Sequence, residues 1–228
     1  MARRGIGYDT LLIVAALAGA SMFAAGRWTA PVPQLPGDTS PEAGFARDMQ
    51  VHHLQGVEMA MVIRDNTDDE AVRRMAYDMA TTQAQQAGQL YGWLVEWGLG
   101  QAGSEVPMVW MMRPGRSGAI MTMEPGQTMG RDSLMPGMAT DEEMERLGAL
   151  RGVEAERRFL ELMIAHHQGA LEMSEAVLDR SDHGPTRAFA QSVLTSQQAE
   201  IDLMNDMLNA RQAATPPPGA TPGEAIRE

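Results

Sequence analysis

The chain has 228 residues, enough for one or two domains, and carries 30 acidic against 18 basic side chains, a formal net charge of −12. This acidic balance argues against nucleic acid as a partner, because a protein that binds a phosphate backbone needs a basic surface. The sequence has no cysteine, which excludes disulfides, thiolate metal sites and cysteine nucleophiles. Methionine is abundant at 20 residues, so sulfur is present only as thioether.

The chain begins with a pattern that is typical of export signals. Arg3 and Arg4 precede an apolar run from Leu11 to about Ala25, and basic residues before such a run stay on the cytoplasmic side of the membrane. Residues 1–28 are therefore predicted to be a signal peptide or an uncleaved membrane anchor, and both alternatives stay open. Either one places the rest of the chain outside the cytoplasm, in the periplasm or at the cell surface.

An internal repeat organises the remainder of the chain. Residues 29–39 are predicted to be a proline-containing linker, and residues 212–228 a disordered tail of low complexity. Between them, a shift of 114 residues aligns two segments of roughly 50 residues without a gap, which indicates a duplication. The repeat places Phe45, Met49, His52, His53, Met59 and Gln83 on Phe159, Met163, His166, His167, Met173 and Gln197.

Each copy of the repeat is predicted to be a helical hairpin, covering residues 40–99 and 140–211. Ser40 is expected to cap the first helix. Thr67 and Thr140 are each followed three residues later by glutamate, which is the pattern of a capping box. No stretch alternates in the manner of a β-strand. The predicted fold class is therefore all-α, and two hairpins that each bury one face pack most simply as a four-helix bundle.

The direction of the helices determines how the two copies meet. In an up-down-up-down bundle the first and third helices run parallel, so a pseudo-twofold axis would lie along the bundle. His52 and His166 lie in the middle of their apolar stripes and would then face each other across the core. Met49 and Met163 would lie at one shared level, one turn away from both histidines.

The connection of residues 100–139 is too long for a structureless loop in a compact domain, which indicates local order or a function. It is unusually rich in methionines, whose spacing has no helical period. They are Met108, Met111, Met112, Met121, Met123, Met129, Met135 and Met138.

The combination of imidazole and thioether ligands favours copper as the bound metal. Thioether sulfur is a soft donor that prefers Cu(I), and imidazole also binds Cu(II). The inward stripe has no carboxylate, as zinc would prefer, and neither His-His pair has the Glu-x-x-His pattern of di-iron bundles. Core packing remains the alternative for the inward methionines, since methionine is a common filler of helical cores.

The doubled motif Phe-x-x-x-Met-x-x-His-His, with Met135-Pro136-Gly137-Met138 before the second copy, resembles the exported bacterial family of domain of unknown function 305. The resemblance covers about residues 41–211 and implies a ferritin-like helical fold. Some members of that family are periplasmic copper-binding proteins that use Met and His. By resemblance the metal ligands are Met49, His52, His53, Met59, Met163, His166, His167 and Met173.

The sequence therefore predicts an exported copper-binding protein that acts as a buffer, chaperone or resistance factor. Its expected partners are copper ions, a protein that donates or accepts copper, and the membrane through the N-terminal helix. No catalysis is expected, because no nucleophile–base pair is evident. A helical scaffold whose Met-rich connection binds another protein is one alternative. A ferritin-type iron or peroxide enzyme is a second alternative.

Overall fold

The structure, a computed structural model, describes residues 7–29, 35–118 and 135–213. Within these ranges all regular structure is helical, which confirms the predicted all-α class. The elements are α1 (Tyr8–Thr29), α2 (Pro41–Asn66), α3 (Glu70–Glu96), a short 3-10 helix (Val109–Met112), α4 (Asp141–Ala149), α5 (Gly152–Arg180) and α6 (Gly184–Ala213). The four long helices α2, α3, α5 and α6 form the bundle.

Helix α1 belongs to a unit of its own, Met1–Leu35, separate from Pro36–Glu228. Its large apolar side chains, such as Leu11 and Phe23, are exposed within that unit. In the described ranges, no helix meets the length and apolarity that a membrane crossing requires. The signal peptide or anchor stays a prediction.

Two of the predicted helix starts are confirmed. Ser40 caps α2, and its hydroxyl accepts a hydrogen bond from the Ala43 backbone N–H at 3.2 Å. Thr140 caps α4 in a complete capping box, because its hydroxyl accepts from the Glu143 backbone and the Glu143 carboxylate accepts from the Thr140 backbone. These caps satisfy backbone donors that have no partner inside the helix.

The predicted capping box at Thr67 is wrong. Helix α3 is capped instead by Asp69, whose carboxylate accepts from the backbone N–H groups of Ala71 and Val72. The Thr67 hydroxyl donates to the Glu156 carboxylate of α5 and is therefore used in a contact between the two hairpins. A tertiary hydrogen bond has replaced the local one that the sequence pattern predicted.

Helices α2 and α5, one from each hairpin, pack antiparallel to each other. This contradicts the predicted up-down-up-down order, in which the first and third helices run parallel. Glu42 at the start of α2 accepts from Ser181 at the end of α5. Glu156 near the start of α5 accepts from Thr67 at the end of α2. The two contacts are equivalent under the 114-residue repeat, which places Glu42 on Glu156 and Thr67 on Ser181. The pseudo-twofold axis therefore lies across the helices rather than along them.

The described parts of the connection between the hairpins fit this reversal, because they contact α2 at successive levels from its start towards its end. Trp110 packs on Phe45 near the start of α2, with ring centroids 6.0 Å apart. Farther along, the Ala139 backbone exchanges two hydrogen bonds with the Gln55 amide. Asn66 at the far end of α2 then donates to the Leu147 carbonyl of α4. One long crossover of this kind is the topology of ferritin-like bundles.

Asp48 anchors the described first part of the connection to α2. One oxygen of its carboxylate accepts from the Met108 backbone N–H at 2.8 Å and from the Trp110 indole N–H at 2.7 Å. Met108 has a left-handed backbone, with φ of 67°, which costs energy for a side chain other than glycine. Burial raises the pKa of Asp48 to about 6, against the lowering effect of its hydrogen bonds.

Substituting Asp48→Ala is expected to lower the free energy of unfolding by about 2–3 kcal/mol, because two buried donors lose their acceptor. Asp65→Ala is the matched control, since Asp65 is an exposed residue of the same helix, and it should change stability by less than about 0.5 kcal/mol. Urea denaturation of both variants measures the difference. Equal effects of the two substitutions would refute the anchoring role of Asp48.

Candidate metal centre

The two His-His pairs meet at the centre of the bundle, where the pseudo-twofold axis crosses α2 and α5. The rings of His52 and His166 stack with centroids 3.8 Å apart and an interplanar angle of 29°. His52, His53, His166 and His167 are all fully buried. The expectation that His52 and His166 face each other across the core is confirmed, although the axis that relates them has another direction.

Hydrogen bonds fix the protonated nitrogen of three of these rings. The Nε2–H of His166 donates to the His52 carbonyl at 2.8 Å, and the Nε2–H of His52 donates to the Pro136 carbonyl at 3.1 Å. The Nε2–H of His167 donates to the Glu200 carboxylate at 2.6 Å. Because these acceptors have no proton to give, Nε2 must carry it, and in the neutral form of each ring Nδ1 has a free lone pair.

Burial keeps the imidazoles of His52, His53 and His166 neutral. It lowers the pKa of His52 to about 4, and it is also the largest cause that holds the pKa of His53 and His166 well below the ordinary value. The neighbouring histidines lower these pKa values further. A neutral imidazole is the form that binds a metal, so the rings need not lose a proton first.

The four candidate methionines are fully buried in the two core clusters, but their arrangement differs from the prediction. Met49 shares its core cluster with Met173, and Met59 shares the other cluster with Met163. The expected single level for Met49 and Met163 is wrong, because α2 and α5 are antiparallel. Each side of the histidine pair therefore has one methionine from each repeat.

Glutamine and glutamate side chains from α3 and α6 complete the centre, and the sequence pattern did not predict them as site residues. Gln83 and Gln197 are 2% exposed, and the Gln83 amide nitrogen lies 4.0 Å from the Met163 sulfur. Gly56 leaves the space that Gln83 fills, since a Cβ there would overlap the Gln83 amide. Gln83 aligns with Gln197 in the repeat, which was the available signal. Glu200 had no such signal.

The centre contains several buried polar atoms that have no hydrogen-bond partner among the described residues. Buried polar atoms are normally paired, and unpaired ones indicate a bound ion, a water molecule or strain. The atoms are Nδ1 of His52, His166 and His167, both ring nitrogens of His53, Oε1 of Gln83 and Gln86, and Oε1 of Gln197 at the position equivalent to Gln83.

These donors suit a soft ion of low coordination number. Neutral imidazole nitrogens and thioether sulfurs are the donors that copper prefers. In the described part of the chain, no three histidine, aspartate or glutamate side chains are grouped closely enough to hold a metal. A site here would therefore use methionine with histidine, rather than a cage of imidazoles and carboxylates.

Comparison with known proteins agrees with this fold. Residues 42–208 match DUF305, a family described as a domain of unknown function. The chain belongs to the DUF305 family. The family resemblance seen in the His-His motifs is thereby confirmed. No curated protein matches the sequence.

Two solved DUF305 structures are similar to the chain. A protein from Streptomyces coelicolor, named as a secreted DUF305 protein, has 43% identity, a TM-score of 0.66, and covers 77% of this chain and 95% of its own. A DUF305 fragment from Deinococcus radiodurans has 28% identity, a TM-score of 0.57, and covers 75% and 96%.

The copper protein CopM shares the fold at lower identity. Its Cu(I)-bound form has 16% identity and a TM-score of 0.52 over 77% of this chain and 97% of CopM. Its Cu(II)-bound form has 20% identity and a TM-score of 0.53 over 75% and 97%. At these identities the likeness establishes the helical architecture alone.

The DUF305 chain covers its histidine centre with the segment Met135–Ala139. The Pro136 carbonyl accepts from His52, and Gly137 adopts a left-handed backbone with φ of 74°. Gly169 of α5 permits the close approach, because a Cβ there would overlap the Pro136 carbonyl. The hydrogen bond between Pro136 and His52 and the close approach at Gly169 together hold this segment against the centre.

Substituting Gly169→Ala is expected to lower the free energy of unfolding by about 1–3 kcal/mol, because the added methyl group pushes the Pro136 carbonyl away. Gly88→Ala is the matched control on α3, where a Cβ meets nothing within 4 Å. It should stabilise the protein by about 0.5–1 kcal/mol, since alanine is the better helix former. Thermal denaturation of both variants measures these effects, and stabilisation by Gly169→Ala would contradict the packing.

The methionines of the connection are partly accounted for by the structure. Met108, Met111 and Met135 are buried, and Met112 and Met138 are half-buried. The remaining three, Met121, Met123 and Met129, lie outside the described residues. Met135 also lines a cleft of about 320 Å³ together with Asp48 and Val51. The thioether of Met135 thus lines a cleft. The next residue, Pro136, accepts the hydrogen bond of His52.

Proposed function

We propose that this DUF305 protein binds copper outside the cytoplasm, as a buffer, chaperone or resistance factor. The observation that carries the proposal is the set of unpaired, neutral imidazole nitrogens in a fully buried core that also holds four thioethers. Such a core loses hydrogen-bond energy in the metal-free protein and regains it when an ion binds the free lone pairs. The activity proposed is binding, without catalysis.

Copper is the ion that this donor set fits best. Cu(I) is the favoured state because it accepts few, soft ligands, and Cu(II) is accepted through the imidazoles. The proposed ligands are drawn from the two repeats and from both core clusters. They are Met49, His52, His53, Met59, Met163, His166, His167 and Met173. The shared fold of CopM, which has been solved with Cu(I), Cu(II) and silver, supports the choice.

The compartment and the partner follow from the same chemistry. A chain with 20 methionines and no cysteine suits an oxidising compartment, where thiols form disulfides but thioethers keep their metal affinity. The similarity to a DUF305 protein named as secreted also supports an extracytoplasmic location. The proposed partners are copper ions and a protein that donates or accepts them, with the N-terminal helix as the attachment to the membrane.

Thermal unfolding of the full chain with and without copper tests the proposal. A ligand at 100 times its dissociation constant adds about 2.7 kcal/mol to the stability of the folded state, which raises Tm by about 5–10 °C in a protein of this size. Cu(I) in a reducing buffer should produce this shift, and Fe(II) and Zn(II) should produce a smaller one. A Tm that is unchanged by copper would favour the scaffold alternative, and the largest shift with iron would favour a ferritin-type enzyme.

A further inference from the structure

The two halves of the histidine centre differ at one pair of equivalent positions. Under the 114-residue repeat, His53 corresponds to His167, and Gln86 of α3 corresponds to Glu200 of α6. The Glu200 carboxylate accepts from Nε2 of His167 at 2.6 Å. Gln86 is close enough to His53 to raise its pKa as a hydrogen-bonding neighbour, but no hydrogen bond of normal geometry reaches either ring nitrogen of His53 within the described part of the chain.

The chemical difference between the two side chains decides what each can do for its histidine. An ionised carboxylate only accepts hydrogen bonds, so Glu200 requires a proton on Nε2 of His167, and the neutral ring then has its lone pair on Nδ1. That Nδ1 is buried in the core and unpaired among the described residues. A glutamine amide both donates and accepts, so Gln86 accommodates either tautomer of His53 and selects neither.

We infer that Glu200 is a positioning residue of the copper centre, which holds His167 in the tautomer and orientation that present Nδ1 as a ligand. A histidine that binds a metal commonly donates its other ring N–H to a carboxylate, which fixes the ring and makes it a better donor. The inference rests on the proposed copper binding. It predicts that the two repeats are unequal, with the His167 half the tighter one.

Glu200 is partly exposed to solvent, unlike the ring that it contacts. Its side chain is 29% exposed, whereas His167 is fully buried. The carboxylate thus meets solvent on one side, while its other side contacts the ring. Substituting Glu200→Gln keeps the size and the burial of this side chain and removes only the charge and the fixed acceptor role.

The test compares the full-length protein with Glu200→Gln, Gln86→Glu and the double exchange Gln86→Glu with Glu200→Gln. Long-range ¹H–¹⁵N spectra of histidine-labelled, metal-free protein report the tautomer of His167 and His53. Competition with a calibrated Cu(I) chelator reports the affinity. We expect Glu200→Gln to remove the fixed tautomer of His167 and to weaken Cu(I) binding by about 10–100-fold. The double exchange should restore the affinity and transfer the fixed tautomer to His53.

Adding His53→Ala or His167→Ala to the double exchange identifies which ring then dominates. His53→Ala should become the more damaging substitution, whereas His167→Ala is the more damaging one in the unexchanged protein. If Glu200→Gln changes neither the tautomer nor the affinity while the unexchanged protein binds copper, the inference is wrong and the proposed function stands. If the unexchanged protein takes no copper from the chelator, the proposed function is wrong. The tautomer spectra then decide separately whether Glu200 positions His167.

Discussion

Replacing His52 and His166 together by alanine is expected to weaken Cu(I) binding by about 100-fold or more, since loss of even an outer partner of a metal ligand costs 10–100-fold. These two rings stack at the centre of the bundle, and Nδ1 of each is buried and unpaired among the described residues. Their removal takes away the imidazole donors that lie between the two methionine clusters. Competition against a calibrated Cu(I) chelator measures the loss.

His183→Ala is the matched control for this experiment. His183 is the fifth histidine and lies in the turn before α6, where it contacts Trp97 and Thr186 rather than the central rings. Its substitution should leave the copper affinity unchanged. The single variants His52→Ala and His166→Ala, each checked for cooperative unfolding, separate loss of binding from loss of fold. If the double variant folds and retains the original affinity, copper is not bound by the central histidines.

The metal-free protein is expected to lose about 3 kcal/mol of stability when the pH falls from 7.5 to 5.5. His52, His53 and His166 have ordinary pKa values of 6.5 when unfolded and lowered values when folded. Between these values the unfolded state binds more protons, so acid favours unfolding. Each of the three rings contributes about 1 kcal/mol or slightly more over this interval, because only the unfolded form becomes protonated.

Asp48 has the opposite effect on the free energy of unfolding and reduces the net loss of stability in acid. Its pKa rises from 3.8 to about 6 on folding, so the folded state binds the additional proton as the pH falls towards 5.5. This gain is about 1 kcal/mol, less than the combined loss at three histidines. Urea denaturation between pH 7.5 and 5.5 measures the balance. His52→Gln should reduce the pH dependence by about a third, and an unchanged stability at pH 5.5 would contradict the buried neutral state.

Local patterns in the sequence predicted the helices but not their directions. The caps at Ser40 and Thr140 and the repeated apolar stripes depend on residues close together in the chain, and these features are observed. The antiparallel pairing of α2 with α5 depends on where a long connection ends, which no local pattern specifies. The contacts of Thr67 with Glu156 and of Ser181 with Glu42 join the two hairpins. They form only when α2 and α5 pack antiparallel, so no local pattern indicates them.

The same division applies to the candidate centre. His52 and His166 could be assigned to the core from their own helices, because helical periodicity places each in an apolar stripe. The side chains that complete the centre come from α3 and α6, whose rotation against α2 and α5 is a tertiary property. The repeat aligns Gln83 with Gln197, but the pattern within α3 alone does not assign Gln83 to the site. Glu200 could not be assigned to the site from the sequence, because the repeat pairs it with a different residue, Gln86. Its role depends on its contact with His167, which is a tertiary contact.

The anomalous difference map of Cu(I)-loaded crystals, recorded at the copper absorption edge, is the most direct test of copper binding in the core. The prediction is a peak inside the bundle, within bonding distance of a ring nitrogen of the central histidines and of at least one of Met49, Met59, Met163 and Met173. Peaks found only on the surface or along the connection of residues 100–139, with none in the core, would contradict it.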